Sequence, residues 1–158
     1  MPSFPKLPEA EMQAWAQAIK LKDLDRMSGV EFEAWLAAKL RSWGYETKIT
    51  TATSDFGVDV IAVDRFRKTR LAIQCKRHNL HSTVGVKAVM EVVAGMHYQR
   101  CDRAAVVTTA TRFTRQARAL AEVHDVRLFD RGRLGTEDWL PRTWPIDKIE
   151  QRHPGAAS

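Results

Sequence analysis

A chain of 158 residues that is 44% hydrophobic has the length of one ordinary domain and enough apolar side chains for a core, and its net charge of +6 sets up a positive field that favours phosphate-rich partners or anionic surfaces. No apolar run approaches the roughly 20 residues needed to cross a bilayer, which excludes a spanning helix, and MPSFPKLPEAEMQ offers neither the basic nor the apolar region of a secretory signal. Cys75 and Cys101 fall inside segments that read as structured, so they make no disulfide framework, and a reducing cytoplasmic setting is expected.

In chain order, Pro8 and Glu9 suit a helix start, and Met12, Trp15, Ala16 and Ile19 recur at helical spacing, predicting an amphipathic helix from Leu7 to about Lys22. A second helix is announced by Ser28 and Glu31 as an S-x-x-E capping box with Met27 and Phe32 at the staple positions. Its buried face is Phe32, Trp35, Leu36, Leu40 and Trp43, and Gly44 ends it. YETKIT reads as a first strand. After the polar stretch TATSDFG, VDVIAV and RLAIQCK read as an antiparallel hairpin joined through DRFRKT. From Val84 to Gln99, the positions Val86, Val89, Met90, Val93 and Met96 return at helical spacing. AAVVTT is short and continuously apolar, as in a strand covered on both faces. RFTRQARALAEVH is a further amphipathic helix and VRLFD a last strand, followed by a brief apolar anchor at Trp139 and Leu140 and a polar tail. The order predicts an α/β fold with one sheet packed by helices.

Side chains alternate across a strand, so Gln74 and Lys76 share one face while Ile73 and Cys75 share the other. If the turn pairs Val63 with Arg70, Asp59 comes opposite Gln74, and a carboxylate, an amide oxygen and an ammonium converge. Two accounts fit that spacing. Asp59 and Gln74 are hard oxygen ligands of the kind Mg²⁺ takes, with Lys76 placed to hold a phosphate oxygen or the hydrolytic water. Alternatively, Asp59 caps the strand start, Lys76 pairs with it, and Gln74 is a satisfied strand residue. Cys75, His78 and His81 match the spacing of no common zinc site, and Cys75 reads as a small buried hydrophobe.

Four blocks, GVEFEAWLAAKLRSWGY, DFGVDVIA, IQCKR and VVTTATRFTRQA, resemble in order and spacing the Mrr-type branch of the PD-(D/E)xK restriction endonuclease-like superfamily, over residues 27 to about 135. The resemblance implies a restriction endonuclease-like core, a mixed central β-sheet flanked by helices. It divides the chain into an N-terminal helical extension (1–26), the Mrr-type domain (27–142) and a C-terminal tail (143–158). It further implies a metal-dependent DNA endonuclease of restriction, defence or repair, using Mg²⁺, for which Mn²⁺ can substitute. Asp59 stands at the metal-binding aspartate, Gln74 at the second ligand position, and Lys76 at the catalytic lysine. For the family's helix glutamate, Glu31 already serves the capping box, so Glu33 is the expected one; Asp55 falls in the loop and is expected to shape the turn. Gln at 74, where many members carry an acid, keeps in view a catalytically weak DNA-binding or protein-interaction module, and a junction-resolving or single-strand nuclease shares the same chemistry. Arg65, Arg67, Lys68 and Arg70 at the hairpin turn, Arg77 and His78 beyond the lysine, and Arg112, Arg115 and Arg118 on the later helix form a cationic set able to track a phosphate backbone. Cutting both strands with one site per chain implies a homodimer, with the stripe of the first helix as an interface. With no reader module in the sequence, target choice falls to loops, a partner chain or a separate target-recognition protein.

Overall fold

The structure is a computed structural model and describes residues 5–50 and 56–136. Helix α1 (Glu9–Ala18) stops where Ile19 turns extended, and a short α2 (Leu21–Leu24) follows. The Lys20 N–H donates to Asp23 Oδ2 at 3.0 Å, which fixes the new helix start. The single helix expected from Leu7 to Lys22 is therefore two, and the bend between them lets Leu24 reach the core at 2% exposure. Helix α3 (Gly29–Ser42) has the expected capping box, with Glu31 N–H donating to Ser28 Oγ at 3.1 Å and Ser28 N–H to Glu31 Oε1 at 3.0 Å. Past its end, Gly44 takes φ +97, a conformation that a Cβ would strain.

Five strands, β1 (Tyr45–Ile49), β2 (Val60–Asp64), β3 (Arg70–Lys76), β5 (Arg103–Thr108) and β7 (Arg127–Phe129), form one mixed sheet in the order β1-β2-β3-β5-β7. The first three are antiparallel neighbours, and β3, β5 and β7 run parallel. The hairpin register pairs Val63 with Arg70 and Val60 with Ile73, as the sequence reading required. Alternation then splits the core. Val60, Ala62, Leu71, Ile73, Ala105 and Val107 pack against α1 and α3. Ala104 and Val106 face α4 (Val86–Tyr98) and α5 (Arg115–His124), and every residue of β5 is buried. Two short elements, β4 (Thr83–Val84) and β6 (Arg112–Phe113), pair in parallel beside the main sheet, and α6 (Arg131–Leu134) follows β7.

Two expectations need correction. The stripe of α1 is not open for a partner: Met12 and Ala16 are buried against α3, Trp15 and Ile19 pack on the same core, and the Trp35 indole N–H donates to Ala16 O at 3.0 Å. On α4 the buried face is Ala88, Val89, Val92 and Gly95, whereas Met90 is 58% exposed. Small residues mark this face because α4 lies against both the sheet and the loop before β2, where long side chains have no room. No helix among the described residues is long and apolar enough to cross a membrane. Asp55, the Trp139–Leu140 anchor and the C-terminal tail lie outside the described residues.

Candidate active site

Because β3 and β5 are parallel and pair Lys76 with Thr108, they bring their C-terminal ends to the edge of the sheet where antiparallel β2 begins. A cleft of about 520 Å³ opens there. Glu33 enters it from α3, Phe56 and Gly57 from the loop, Asp59 from the mouth of β2, Gln74, Cys75 and Lys76 from β3, and Glu91 and Ala94 from α4. The four residues expected to carry the chemistry, Glu33, Asp59, Gln74 and Lys76, thus line one cavity.

The Asp59 N–H donates at 2.8 Å to Ile73 O, the residue that Val60 already pairs with, so Asp59 and Val60 share Ile73 in a bulge-like step and Asp59 does not stand directly opposite Gln74 as the strand spacing had implied. The Asp59 Oδ2 accepts the Cys75 N–H at 2.7 Å, a charge-assisted bond that fixes the carboxylate against β3. Gln74 is 3% exposed and turns toward α4, where its Nε2 donates to Glu91 Oε2 at 2.9 Å. A carboxylate only accepts, so this bond assigns the amide nitrogen to Glu91. The Gln74 Oε1 is left buried without a hydrogen-bond partner. Lys76 Nζ lies 3.9 Å from the same Glu91 Oε2, and Lys87 Nζ reaches Glu91 Oε1 at 3.7 Å. Burial pushes the Cys75 thiol well up, and the Asp59 and Glu33 charges push it further, so a neutral thiol sits among these carboxylates.

The end of β3 is braced from the next strand. Thr108 Oγ1 donates to Lys76 O at 2.6 Å, and Thr109 Oγ1 accepts the His78 N–H at 2.9 Å while donating to His78 O at 2.6 Å. Arg131 forks onto both carboxylate oxygens of Asp25 at 2.7 Å and reaches Thr109 O at 3.2 Å, tying the brace to the loop before α3. Burial first, then the Lys76 and Arg77 charges, lower the His78 pKa and favour its neutral form.

Glu91 is the cleft residue that sequence reasoning missed. It is the one acid of α4, VKAVMEVVAGMHY, and that isolation in an apolar helix was the available signal. The hairpin cations are the converse case. Arg65, Arg67, Lys68 and Arg70 sit at the opposite end of β2 and β3 from the cleft, about 17 Å along the strand from Asp59. There Arg70 donates through its backbone N–H to Asp102 and through its guanidinium to Gln99 O. Arg77 and His78 follow Lys76 directly. Arg112 and Arg115 lie at the start of the β6–α5 segment, toward the cleft end of the sheet. Arg118, further along α5, donates back to Phe113 O at 3.3 Å.

Among the described residues no three His, Cys, Asp or Glu side chains alone gather tightly enough to hold a metal ion. The fit to a hard cation instead includes the amide. Carboxylates and an unpartnered amide oxygen form an all-oxygen donor set, and an ion such as Mg²⁺ completes its shell with water.

A mixed sheet covered on both faces, with acids, an amide and a lysine gathered at one strand edge, defines a restriction endonuclease-like domain of the PD-(D/E)xK type. The chain belongs to the Mrr_cat restriction endonuclease family, whose sequence model matches residues 24–136. Among solved structures it is similar to the DNA modification-dependent restriction endonuclease AspBHI, at 23% identity over 85% of this chain and 38% of that one, with a TM-score of 0.56. The MspJI restriction endonuclease in complex with a 27-mer oligonucleotide matches at 24% identity over 85% of this chain and 33% of that one, TM-score 0.52. A protein of unknown function, AF1548, matches at 23% identity over 60% of this chain and 54% of that one, TM-score 0.50. These likenesses show the fold, and the chain spans 54% or less of the length of each of the three. Among curated proteins no sequence matches the chain.

Proposed function

We propose that this cleft hydrolyses DNA phosphodiester bonds with Mg²⁺, or Mn²⁺ in its place, held by Asp59, Gln74 and Glu33. The family generally works with divalent metal ions. The observation that supports the reading most is the Gln74 amide, whose nitrogen is tied to Glu91 and whose buried oxygen is left for a ligand inside a cleft lined by acids. Leaving an acceptor unsatisfied in the folded chain costs about 1–3 kcal/mol, which an oxygen-seeking cation would offset. Charge argues the same way. Glu33, Asp59 and Glu91 outnumber Lys76, so the cleft is formally negative in a chain of net charge +6 and would repel a phosphate on its own.

A bound divalent ion supplies an acidified water and offsets the charge of the diester. The chain's own residues do the rest. Asp59, pinned by the Cys75 N–H, and Gln74, pinned by Glu91, present fixed oxygens. Lys76, its carbonyl braced by Thr108, stabilises charge growing on the phosphate or orients the attacking water, and no covalent intermediate is required. Arg77, His78, Arg112 and Arg115 contact the flanking backbone, which adds affinity without sequence choice. A second copy serves to cut both strands, and target choice in restriction or repair comes from a separate recognition protein or from that partner chain. Supercoiled plasmid incubated with the protein tests the reading: conversion to nicked and linear forms is expected with Mg²⁺ or Mn²⁺ and stops when EDTA removes the ion. Intact plasmid in both ions contradicts it.

A further inference from the structure

Two aromatic side chains in contact stand open to solvent, the first of them in the cleft. Phe56, which lines the cleft, is 58% exposed, and Tyr98 is 60% exposed. Their ring centroids are 4.3 Å apart and their planes inclined by 46°, so neither ring lies flat on the other and hides its face. Two large rings exposed side by side make an open aromatic surface beside the cleft.

The backbone holds the pair in place. Phe56 adopts φ +49, a left-handed conformation uncommon outside glycine, and Gly57 follows at φ +85. The loop then lies directly on α4: a Cβ on Gly57 would stand 2.7 Å from Glu91 O, and one on Gly95 would stand 2.4 Å from Phe56 O. Glu91, Gly95 and Tyr98 fall on one helix face, so the ring pair stands about 10 Å along α4 from the acids of the cleft. A loop so close to the helix has few ways to withdraw the ring.

We infer that Phe56, backed by Tyr98, is a stacking platform for an unpaired nucleobase of the strand being cut, so that the cleft takes DNA locally unpaired at the cleavage position, whether flanked by duplex or not. This inference rests on the proposed phosphodiesterase reading and names its substrate class. In an intact duplex every base face is already covered by its neighbours, and only an unstacked nucleotide offers a face to an aromatic ring. The location favours a nucleic acid over other occupants, because Phe56 lines the same cleft as Lys76, where the proposed reaction holds the phosphate.

Anisotropy of a labelled oligothymidylate, and of an abasic oligonucleotide of the same length, measured in Ca²⁺, which takes the same hard oxygen ligands as Mg²⁺, with the wild-type chain, Phe56→Leu and Phe56→Trp, tests the platform. The wild type should prefer the base-bearing strand by about tenfold, Phe56→Leu should bring the two affinities together, and Phe56→Trp should keep the preference. Equal wild-type binding of the two strands, or an undiminished preference in Phe56→Leu, overturns it. Leu keeps the apolar bulk at a half-exposed position, so lost folding does not mimic the expected result. The base-to-abasic ratio is read without cleavage, so the platform can fail while plasmid nicking succeeds, and the reverse.

Discussion

Gln74 has an acid where its nitrogen points and no protein partner where its oxygen points. Replacing it with Glu brings two carboxylates to about the 2.9 Å now spanned by the amide hydrogen bond. One of them must then hold a proton, and its folded pKa rises above the unfolded value. Gln74→Glu should therefore lose about 1–3 kcal/mol of stability at neutral pH, regain it as pH falls through the raised value, and gain more from added Mn²⁺ than the wild type does. Melting curves across pH, with and without Mn²⁺, read all three effects. That Asp59, Gln74 and Lys76 line one cavity was legible from strand alternation and one turn, whereas the doubled pairing of Asp59 and Val60 on Ile73 was not. Glu91 was not, since a helical pattern sorts apolar positions and leaves a polar one assigned to solvent. Its contact with Gln74 spans 17 positions of sequence, which no local pattern encodes.

At the scale of elements, the site depends on how closely the loop before β2 rides on α4. Gly95→Ala would place a methyl 2.4 Å from Phe56 O and 2.6 Å from Val58 Cγ2, and the backbone carbonyl can yield only if the loop lifts. The expected cost is about 1–3 kcal/mol, with a fall in plasmid nicking beyond what the lower melting temperature explains, because Asp59 moves with the loop. Nicking at the wild-type rate at a temperature where the variant is folded would show that the loop does not position Asp59. Strand β3 was legible to the residue because the polar turn DRFRKT precedes the apolar LAI of RLAIQCK. The pair β4 and β6 was not, since two residues are too few to display a period. On α4 the helical spacing gave away the helix, but that spacing took in Met90, which is exposed, and passed over Val92, because the contact with the sheet and the loop selects small side chains.

Across the whole molecule, sheet polarity decides which charges serve the cleft. The cations of the hairpin turn are close to Asp59 in sequence, yet β2 carries them to the opposite end of the sheet, a separation that composition and spacing do not reveal. The bidentate Arg131–Asp25 pair joins the start of the fold to its end. Hydrogen bonding to Arg131 holds the Asp25 carboxyl below its ordinary 3.8, and the Arg131 and Arg77 charges assist against the opposing effect of burial. The unfolded chain therefore takes up this proton first. The stability from the pair is complete above that ordinary value and is lost as pH falls through the lowered one. Asp25→Asn should melt below the wild type at neutral pH, with the gap closing as acidification passes below the ordinary carboxylate value of 3.8. A gap that widens in acid would contradict the sign.

In the proposed reaction Lys76 stands beside bound phosphate in a cleft of acids. The rate of plasmid nicking in Mn²⁺ by Lys76→Ala against the wild type tests it most directly. A loss of about a hundredfold or more at an unchanged melting temperature is predicted. Equal rates for the two proteins would place the chemistry elsewhere.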